Sequence, residues 1–231
     1  TLKWLERKTG ALVRAAEQDR HAVGKLADDL LEHAKALLLL PFASISASFP
    51  KLVRDLCRDQ GKEADLTIHG EDVEIDKRIL EEMKDPLVHL LRNSVDHGIE
   101  LPGERTRLGK PPRATITLVV SRLDGHKVQL SLSDDGAGID LARVKESALR
   151  HGPLPAGEAQ QLRDSAAQAL IFLSEVSTSP TITQLSGRGL GLAIVREKAE
   201  KLGGKVSVES SVGRGTTFRM LIPATRATFR C

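Results

Sequence analysis

Apolar positions in the first 60 residues recur at helical spacing. Over residues 2–40, leucines and valines appear every three or four positions, with charged residues between them. Pro41 interrupts this pattern, which resumes over residues 42–58. We therefore predict a helical, dimerisation-like segment over residues 1–61, in which the apolar run 36–40 is a buried helix end.

After this segment the period of the pattern changes to two, which is typical of strands. Strands are predicted at residues 64–69, 114–122, 127–133, 205–209 and 216–222. Because Asp124-Gly125 and Gly213 stand between neighbouring runs, the last four strands are expected to form two hairpins.

Helical spacing also returns between the strands. Helices are predicted at residues 76–95, 141–150, 157–172 and 190–202. Asp76 is a candidate N-cap of the first of these helices. Residues 100–113 are rich in Pro, Gly and charge, so we predict a loop there. Strands and helices in this order indicate an α+β fold, with helices packed on one face of the sheet.

Composition narrows the function classes. The chain is 40% hydrophobic and carries a net charge of only +3, with 3% aromatic residues and no Tyr, so nucleic acid is not an expected partner. Its two cysteines have no metal or disulfide spacing, which favours a reducing compartment. No apolar run approaches the ~18 residues of a membrane span. A cytoplasmic protein without membrane insertion is expected, and the start without Met indicates part of a longer protein.

The first candidate functional residues lie at the end of the predicted helix 76–95, which is the third helix predicted in the chain. On a regular helix, His89, Asn93, Asp96 and His97 share one face. An Asn carbonyl oxygen suits Mg²⁺, and an imidazole one turn away is able to orient or accept a proton. Taken alone, this segment is equally well explained as a solvated polar helix face.

Three glycine-rich segments follow in the sequence. Residues 134–139 read Asp-Asp-Gly-Ala-Gly-Ile after a strand, and residues 187–192 read Gly-Arg-Gly-Leu-Gly-Leu at a helix start. Residues 213–217 read Gly-Arg-Gly-Thr-Thr between the last two strands. Glycines permit close backbone approach to a ligand, and helix N-termini favour phosphate. Each segment alone is also explained as a simple turn.

The order of the four segments resembles the ATPase superfamily of gyrase, MutL, the heat-shock chaperones and histidine kinases (GHKL). Residues 49–56, 85–100 and 107–112 resemble the CheA family of chemotaxis kinases almost letter for letter, and the similarity covers roughly residues 40–225. It implies a Bergerat, or HATPase, α/β sandwich. This sandwich has a mixed, mainly antiparallel sheet with helices on one face, follows a helical segment, and binds ATP through a domain at residues 62–226.

The resemblance also implies roles for single residues. Asn93 is expected to ligate a Mg²⁺ ion that bridges the phosphates, His89 to polarise phosphoryl transfer, and Asp134 to receive the adenine amino group. The other residues expected to contact the nucleotide are Asp96, His97, Gly136, Gly138, Ile139, Ser177, Thr178, Gly187, Arg188, Gly189, Gly191, Leu192 and Thr216. An ATP lid is expected at about residues 141–188, where residues 174–176 depart from the family pattern.

The function implied is the kinase core of a CheA-like two-component sensor histidine kinase. It would transfer the γ-phosphate of Mg-ATP to a histidine of a separate phosphotransfer domain, on the same or another chain. A response regulator downstream, a chemoreceptor or coupling protein, and a homodimer through the N-terminal helices are the implied partners. The alternative is a GHKL-type ATP-binding module or an ATPase. Hydrolysing relatives place a Glu four residues before the Asn, so His89 favours transfer to a protein.

Overall fold

The computed structural model describes residues 2–36, 38–123, 127–142, 144–146, 170–172 and 191–225. It divides into two compact units, Thr1–Leu39 and Leu40–Cys231. The turn at Asp124-Gly125 and most of the helices predicted at 141–150 and 157–172 lie outside the described residues, although Leu170–Phe172 form one short helical turn.

The first unit is built on one long helix, α1 (Leu2–Ala36). Its large apolar side chains that the structure shows as exposed are Leu2, Trp4, Leu12, Val13, Val23, Leu26 and Leu30. The prediction of a buried helix end at residues 36–40 is wrong, because Leu39–Pro41 form strand β1. The residue before a proline is sterically pushed out of helical geometry, which explains why Leu40 is extended. None of the described helices is long and apolar enough to cross a membrane.

The second unit contains a five-stranded sheet. Its strands, together with the short β3, are β2 (Ala64–His69), β3 (Glu74–Asp76), β4 (Ala114–Leu123), β5 (Lys127–Asp134), β6 (Lys205–Ser211) and β7 (Gly215–Pro223). The order across the sheet is β2-β4-β5-β7-β6, and β3 pairs separately with β1. Only β2 and β4 run parallel, and the other neighbours are antiparallel. This arrangement confirms the predicted α+β class with a mainly antiparallel sheet.

The further described helices of this unit accompany the sheet, and all but the fourth of them contribute side chains to its apolar core. They are α2 (Ala43–Ser46), α3 (Phe49–Asp59), α4 (Lys77–Asn93), α5 (Pro102–Arg107) and α6 (Gly191–Lys201). Alternate residues of β4, among them Ile116 and Leu118, are fully buried, as are Leu87 and Leu90 of α4. Helix α6 packs beside α4. Among the described residues, side chains of α4 and of the sheet thus belong to one hydrophobic core.

Two local predictions in this unit are wrong. Residues 100–113 contain helix α5, which begins at Pro102, a residue suited to a first helical turn. The third predicted helix does not continue to residue 95 in α form. Helix α4 ends at Asn93, and Ser94–Gly98 form a π-helical turn in which the Ile99 amide donates to the Ser94 carbonyl at 2.8 Å.

Candidate nucleotide site

Helix α4 presents the first pair of predicted site residues. Asp76 caps its start by accepting a hydrogen bond from the Arg78 amide at 2.9 Å, which confirms the predicted N-cap. His89 and Asn93 lie one turn apart near its C-terminal end, and both are half-buried. No described residue hydrogen-bonds the Asn93 carboxamide. Its oxygen is therefore available to a ligand.

A magnesium ion fits this end of the helix only together with a nucleotide. Among the described residues, no group of three or more His, Cys, Asp or Glu side chains is placed to hold a metal. Mg²⁺ is usually bound by one or two protein oxygens plus substrate phosphates. The Asn93 carboxamide offers one oxygen of this kind, and its role as a metal ligand is a prediction.

The imidazole of His89 is held largely neutral. Burial lowers the pKa of His89, and the nearby positive charge of Arg92 lowers it further, while Asp96 acts in the opposite direction. A neutral imidazole keeps one nitrogen as an acceptor, so His89 is able to orient or accept a proton near neutral pH.

The remaining candidates of this segment, Asp96 and His97, lie in the π-helical turn and not in α4. Its change of spacing overturns the assumption of one regular helix from residue 89 to residue 97. Asp96 accepts a hydrogen bond from Gln60 at 2.6 Å, and the Lys62 ammonium donates to the main-chain carbonyls of Val95 and Asp96 at 2.6 and 2.9 Å. His97 is exposed. Residues just after α3 therefore hold this turn in place.

The carboxylate of Asp134 lies in the centre of a preformed arrangement. It is 8% exposed and accepts from the Gly136 amide at 3.1 Å, the Thr216 amide at 3.3 Å and the Ser94 hydroxyl at 3.0 Å. A carboxylate has about four acceptor positions, so one position remains for a further donor. Burial raises the pKa of Asp134, although these three hydrogen bonds oppose the shift.

Gly136 and Gly138 are required by the chain's own packing. A Cβ atom at Gly136 would lie 2.1 Å from the Gly98 carbonyl oxygen, and one at Gly138 would lie 2.1 Å from the Ser211 carbonyl oxygen. Gly138 also has a φ of +72°. We predicted that these glycines let a ligand approach the backbone, whereas in the structure the neighbouring backbone fills the space.

Strand pairing brings Thr216 of β7 close to Ile139 of the loop 134–139. Asp134 of β5 lies opposite Thr216 of β7, which in turn lies opposite Ser210 of β6. The Ser210 hydroxyl accepts from the Ile139 amide at 2.8 Å and lies 3.0 Å from the Thr216 hydroxyl. Hydrogen bonds thus join the π turn, the loop 134–139 and the final hairpin, and Asn93 directly precedes this π turn in the chain.

The predicted phosphate loop and lid are only partly described. Ser177, Thr178, Gly187, Arg188 and Gly189 lie outside the described residues. Gly191 is the first residue of α6, and Leu192 packs against the core.

Three charged residues beside the loop 134–139 were not predicted from the sequence to have a role. They are Glu100, Arg105 and Lys110. Arg105 is fully buried and binds the carboxylates of Glu100 and Asp135 at 3.0 and 2.9 Å. Lys110 binds Glu100 at 2.7 Å and donates to the carbonyls of Asp135 and Gly136 at 3.0 and 2.6 Å. Burial acts to raise the pKa of Glu100, but the bonds from Lys110 and Arg105 bring it below its ordinary value. The family resemblance over residues 85–100 and 107–112 includes Glu100 and Lys110 and could have drawn attention to them, whereas Arg105 lies in neither range.

Comparison with known proteins adds sequence relatives. The family model described as "Histidine kinase-, DNA gyrase B-, and HSP90-like ATPase" matches residues 82–226. The chemotaxis protein CheA of Halobacterium salinarum is 44% identical over 203 residues, which cover 88% of this chain and 30% of that protein. The gliding motility regulatory protein of Myxococcus xanthus is 41% identical, covering 86% of this chain and 25% of that protein. The chain thus spans less than a third of these two relatives.

A solved structure agrees in fold. The catalytic domain of the histidine kinase ThkA aligns with a TM-score of 0.50 and 19% identity, covering 81% of this chain and 95% of that domain. At this identity the match bears on the fold alone. It agrees with the five-stranded, mainly antiparallel sheet described above.

Proposed function

Because the chain belongs to the histidine kinase-, DNA gyrase B- and HSP90-like ATPase family, we propose that it is the kinase core of a CheA-like histidine kinase. The matched family model covers more than half of the chain and implies ATP as the ligand. In this proposal the chain binds Mg-ATP and transfers the γ-phosphate to a histidine of a separate phosphotransfer domain.

The arrangement around Asp134 carries the proposal. Its carboxylate is buried, is fixed by three donors and retains one acceptor position. The exocyclic amino group of adenine is a donor of matching chemistry. Guanine carries a carbonyl oxygen at the corresponding position, which a carboxylate would repel. Asp134 therefore supports recognition of adenine. We propose that the phosphates lie towards Asn93, because its neighbour Ser94 donates to the Asp134 carboxylate.

At the phosphate end, Asn93 is the proposed protein ligand of Mg²⁺, which when bound neutralises phosphate charge. The nitrogen of the acceptor histidine attacks the γ-phosphorus, the bond to the β,γ-bridging oxygen breaks, and ADP leaves. His89, held neutral by its surroundings, is placed one helical turn from Asn93 to orient or accept a proton in this step.

The partners follow from the same proposal. A phosphotransfer domain supplies the acceptor histidine, and a response regulator receives the phosphate afterwards. A second copy of this chain is the proposed partner of α1, because α1 exposes a row of large apolar side chains. A chemoreceptor or coupling protein and a cytoplasmic location complete the proposal.

The test incubates the chain with Mg²⁺ and γ-labelled ATP, with and without a supplied phosphotransfer domain. We expect label on the histidine of that domain and little free phosphate. Release of phosphate without labelled domain would identify an ATPase, and binding without either product would identify a binding module. Failure of the chain to bind ATP in calorimetry would contradict the whole assignment.

A further inference from the structure

Two cations, Arg105 and Lys110, hold the loop that follows Asp134. Lys110 donates to the main-chain carbonyls of Asp135 and Gly136 at 3.0 and 2.6 Å. Arg105 donates to the Asp135 carbonyl at 3.3 Å and to its carboxylate at 2.9 Å. Both cations also bind Glu100, so Glu100, Arg105 and Lys110 form one connected cluster, called the cationic clamp below.

The contacts of the clamp fix two successive peptide planes. In a trans peptide the carbonyl of one residue and the amide N–H of the next point in opposite directions. Holding the Asp135 carbonyl therefore turns the Gly136 amide towards Asp134, whose carboxylate it meets at 3.1 Å. Holding the Gly136 carbonyl likewise turns the Ala137 amide towards the Gly98 carbonyl, which it meets at 2.7 Å.

These peptide planes need an external support. Gly136 has no side chain to limit rotation of its backbone, and glycine samples more backbone conformations than any other residue. Arg105 is 0% exposed and Lys110 has a side chain that is 16% exposed. Buried charges are tolerated when each is paired and hydrogen-bonded, and in this cluster the partners include the loop's own carbonyls.

We propose that Lys110 and Arg105 are positioning residues of the nucleotide pocket, which set the orientation of the Asp134 carboxylate and thereby the preference for adenine. The inference rests on the proposed ATP site. Removal of the Lys110 ammonium frees the Gly136–Ala137 peptide plane and leaves the Asp135–Gly136 plane with only the longer Arg105 contact of 3.3 Å. The Gly136 amide then holds Asp134 less firmly, so the carboxylate discriminates adenine from guanine less well.

The experiment compares nucleotide binding by wild type, Lys110→Met, Lys110→Arg and Lys201→Met. Lys201→Met is the control, since it removes a lysine that pairs with Glu197 on the exposed face of α6. Calorimetry gives the dissociation constants of a non-hydrolysable ATP analogue and of its GTP counterpart. For Lys110→Met we expect a loss of ATP affinity of about tenfold or more and a similar fall in the ATP/GTP ratio. Lys110→Arg and Lys201→Met should stay close to wild type.

A second measurement reports on the peptide planes without nucleotide. Amide hydrogen exchange of Gly136 and Ala137 should become faster in Lys110→Met and remain slow in Lys110→Arg. Should Lys110→Met fail to fold, Lys110→Gln replaces it, because its shorter, uncharged side chain is unable to hold both carbonyls and Glu100 together, so the ATP/GTP ratio should still fall. A folded Lys110→Gln with a wild-type ATP/GTP ratio would overturn the inference.

The remaining outcomes separate the two proposals. If wild type binds ATP and Lys110→Met shows an unchanged ratio with only a lower melting temperature, the clamp is structural and the inference is wrong. An equal loss for ATP and GTP would overturn it as well. If wild type binds neither nucleotide, the proposed function itself is refuted.

Discussion

The two ends of the candidate pocket, called the adenine end and the phosphate end after the parts of ATP that they are proposed to bind, are built in opposite ways. At the adenine end, Asp134 receives three hydrogen bonds from the chain itself, and the loop behind it is held by the cationic clamp. At the phosphate end, Asn93 has no hydrogen-bond partner among the described residues, and His89 is half-buried beside it. The chain itself orients Asp134 at one end, whereas at the other end the described residues leave the Asn93 carboxamide without a hydrogen-bond partner.

This contrast separates recognition from chemistry. A preorganised group spends little free energy on ordering when the ligand binds, so the adenine end should provide selectivity and affinity. Asn93 and His89 are proposed to gain their partners only with the metal and the phosphates, so they should act where charge changes during phosphoryl transfer. Substitutions at the two ends should therefore differ in whether binding or turnover suffers most.

The largest effect is expected for Asn93→Ala at the phosphate end. Loss of the only proposed protein ligand to Mg²⁺ should abolish measurable phosphoryl transfer and weaken nucleotide binding. Binding is measured by calorimetry with and without Mg²⁺, and transfer by labelling of a supplied phosphotransfer domain. Wild type should gain affinity when Mg²⁺ is added, whereas Asn93→Ala should not. An unchanged gain in Asn93→Ala would remove Asn93 from the metal site.

His89→Ala should separate turnover from binding. We expect transfer to fall by about a hundredfold or more with nearly unchanged nucleotide affinity, since His89 is proposed to act in the reaction step. His89→Gln is the informative companion, because an amide replaces the imidazole in size without ionising. Near-normal transfer by His89→Gln would show that His89 only packs the helix, and would leave the kinase proposal standing.

Asp134→Asn should break the adenine end alone. The new amide oxygen is able to accept from the Gly136 and Thr216 amides, and the amide nitrogen is able to donate to the Ser94 hydroxyl, so the fold should persist. The remaining acceptor position becomes an N–H donor facing the adenine amino group. ATP affinity in calorimetry should fall by roughly tenfold to a hundredfold, with a melting temperature close to wild type. Wild-type affinity would exclude Asp134 as the adenine contact.

The smallest expected effect is the pH dependence of stability at the phosphate end. The pKa of His89 is lower in the folded chain than its ordinary value of about 6.5, so the unfolded chain binds the proton first. Protonation of His89 therefore leaves the free energy of unfolding unchanged above about pH 6.5. Below that pH it decreases the free energy of unfolding, until the pH reaches the pKa of His89 in the folded chain. Urea unfolding between pH 7.5 and about 5 should show a shallower decline for His89→Gln than for wild type. Equal declines would mean that His89 is not held neutral.

Sequence periodicity predicted the elements whose pattern is local. The alternation of β4 and β5, and of β6 and β7, was sufficient to place both hairpins, and Asp76 was recognised as the start of α4. Strand β1 was missed because its partner β3 is more than thirty residues away in the chain. Helix α5 was missed because a six-residue helix gives too little periodicity to stand out from Pro, Gly and charge.

For the candidate site, sequence identified groups but not the contacts between them. Asp134, Asn93 and Thr216 were all named from motifs, and their roles stay predictions until tested. The cationic clamp was not predicted, because Lys110 and Gly136 are 26 positions apart and no periodic signal relates a lysine to a main-chain carbonyl. The reason for Gly136 was also incomplete, since the nearest obstacle to a side chain is the Gly98 carbonyl.

The π-helical turn Ser94–Gly98 has a consequence for which changes in chain length this protein is able to tolerate. Its closing bond joins Ile99 to Ser94, five positions apart, where an α-helix would join residues four apart. The turn thus contains one residue more than an α-helical turn. Deleting one residue would let α4 continue regularly and rotate Gly98 by about 100° about the helix axis, away from its bond with Ala137. Surface loops usually accept insertions and deletions, whereas here even a single-residue deletion would separate the two ends of the pocket.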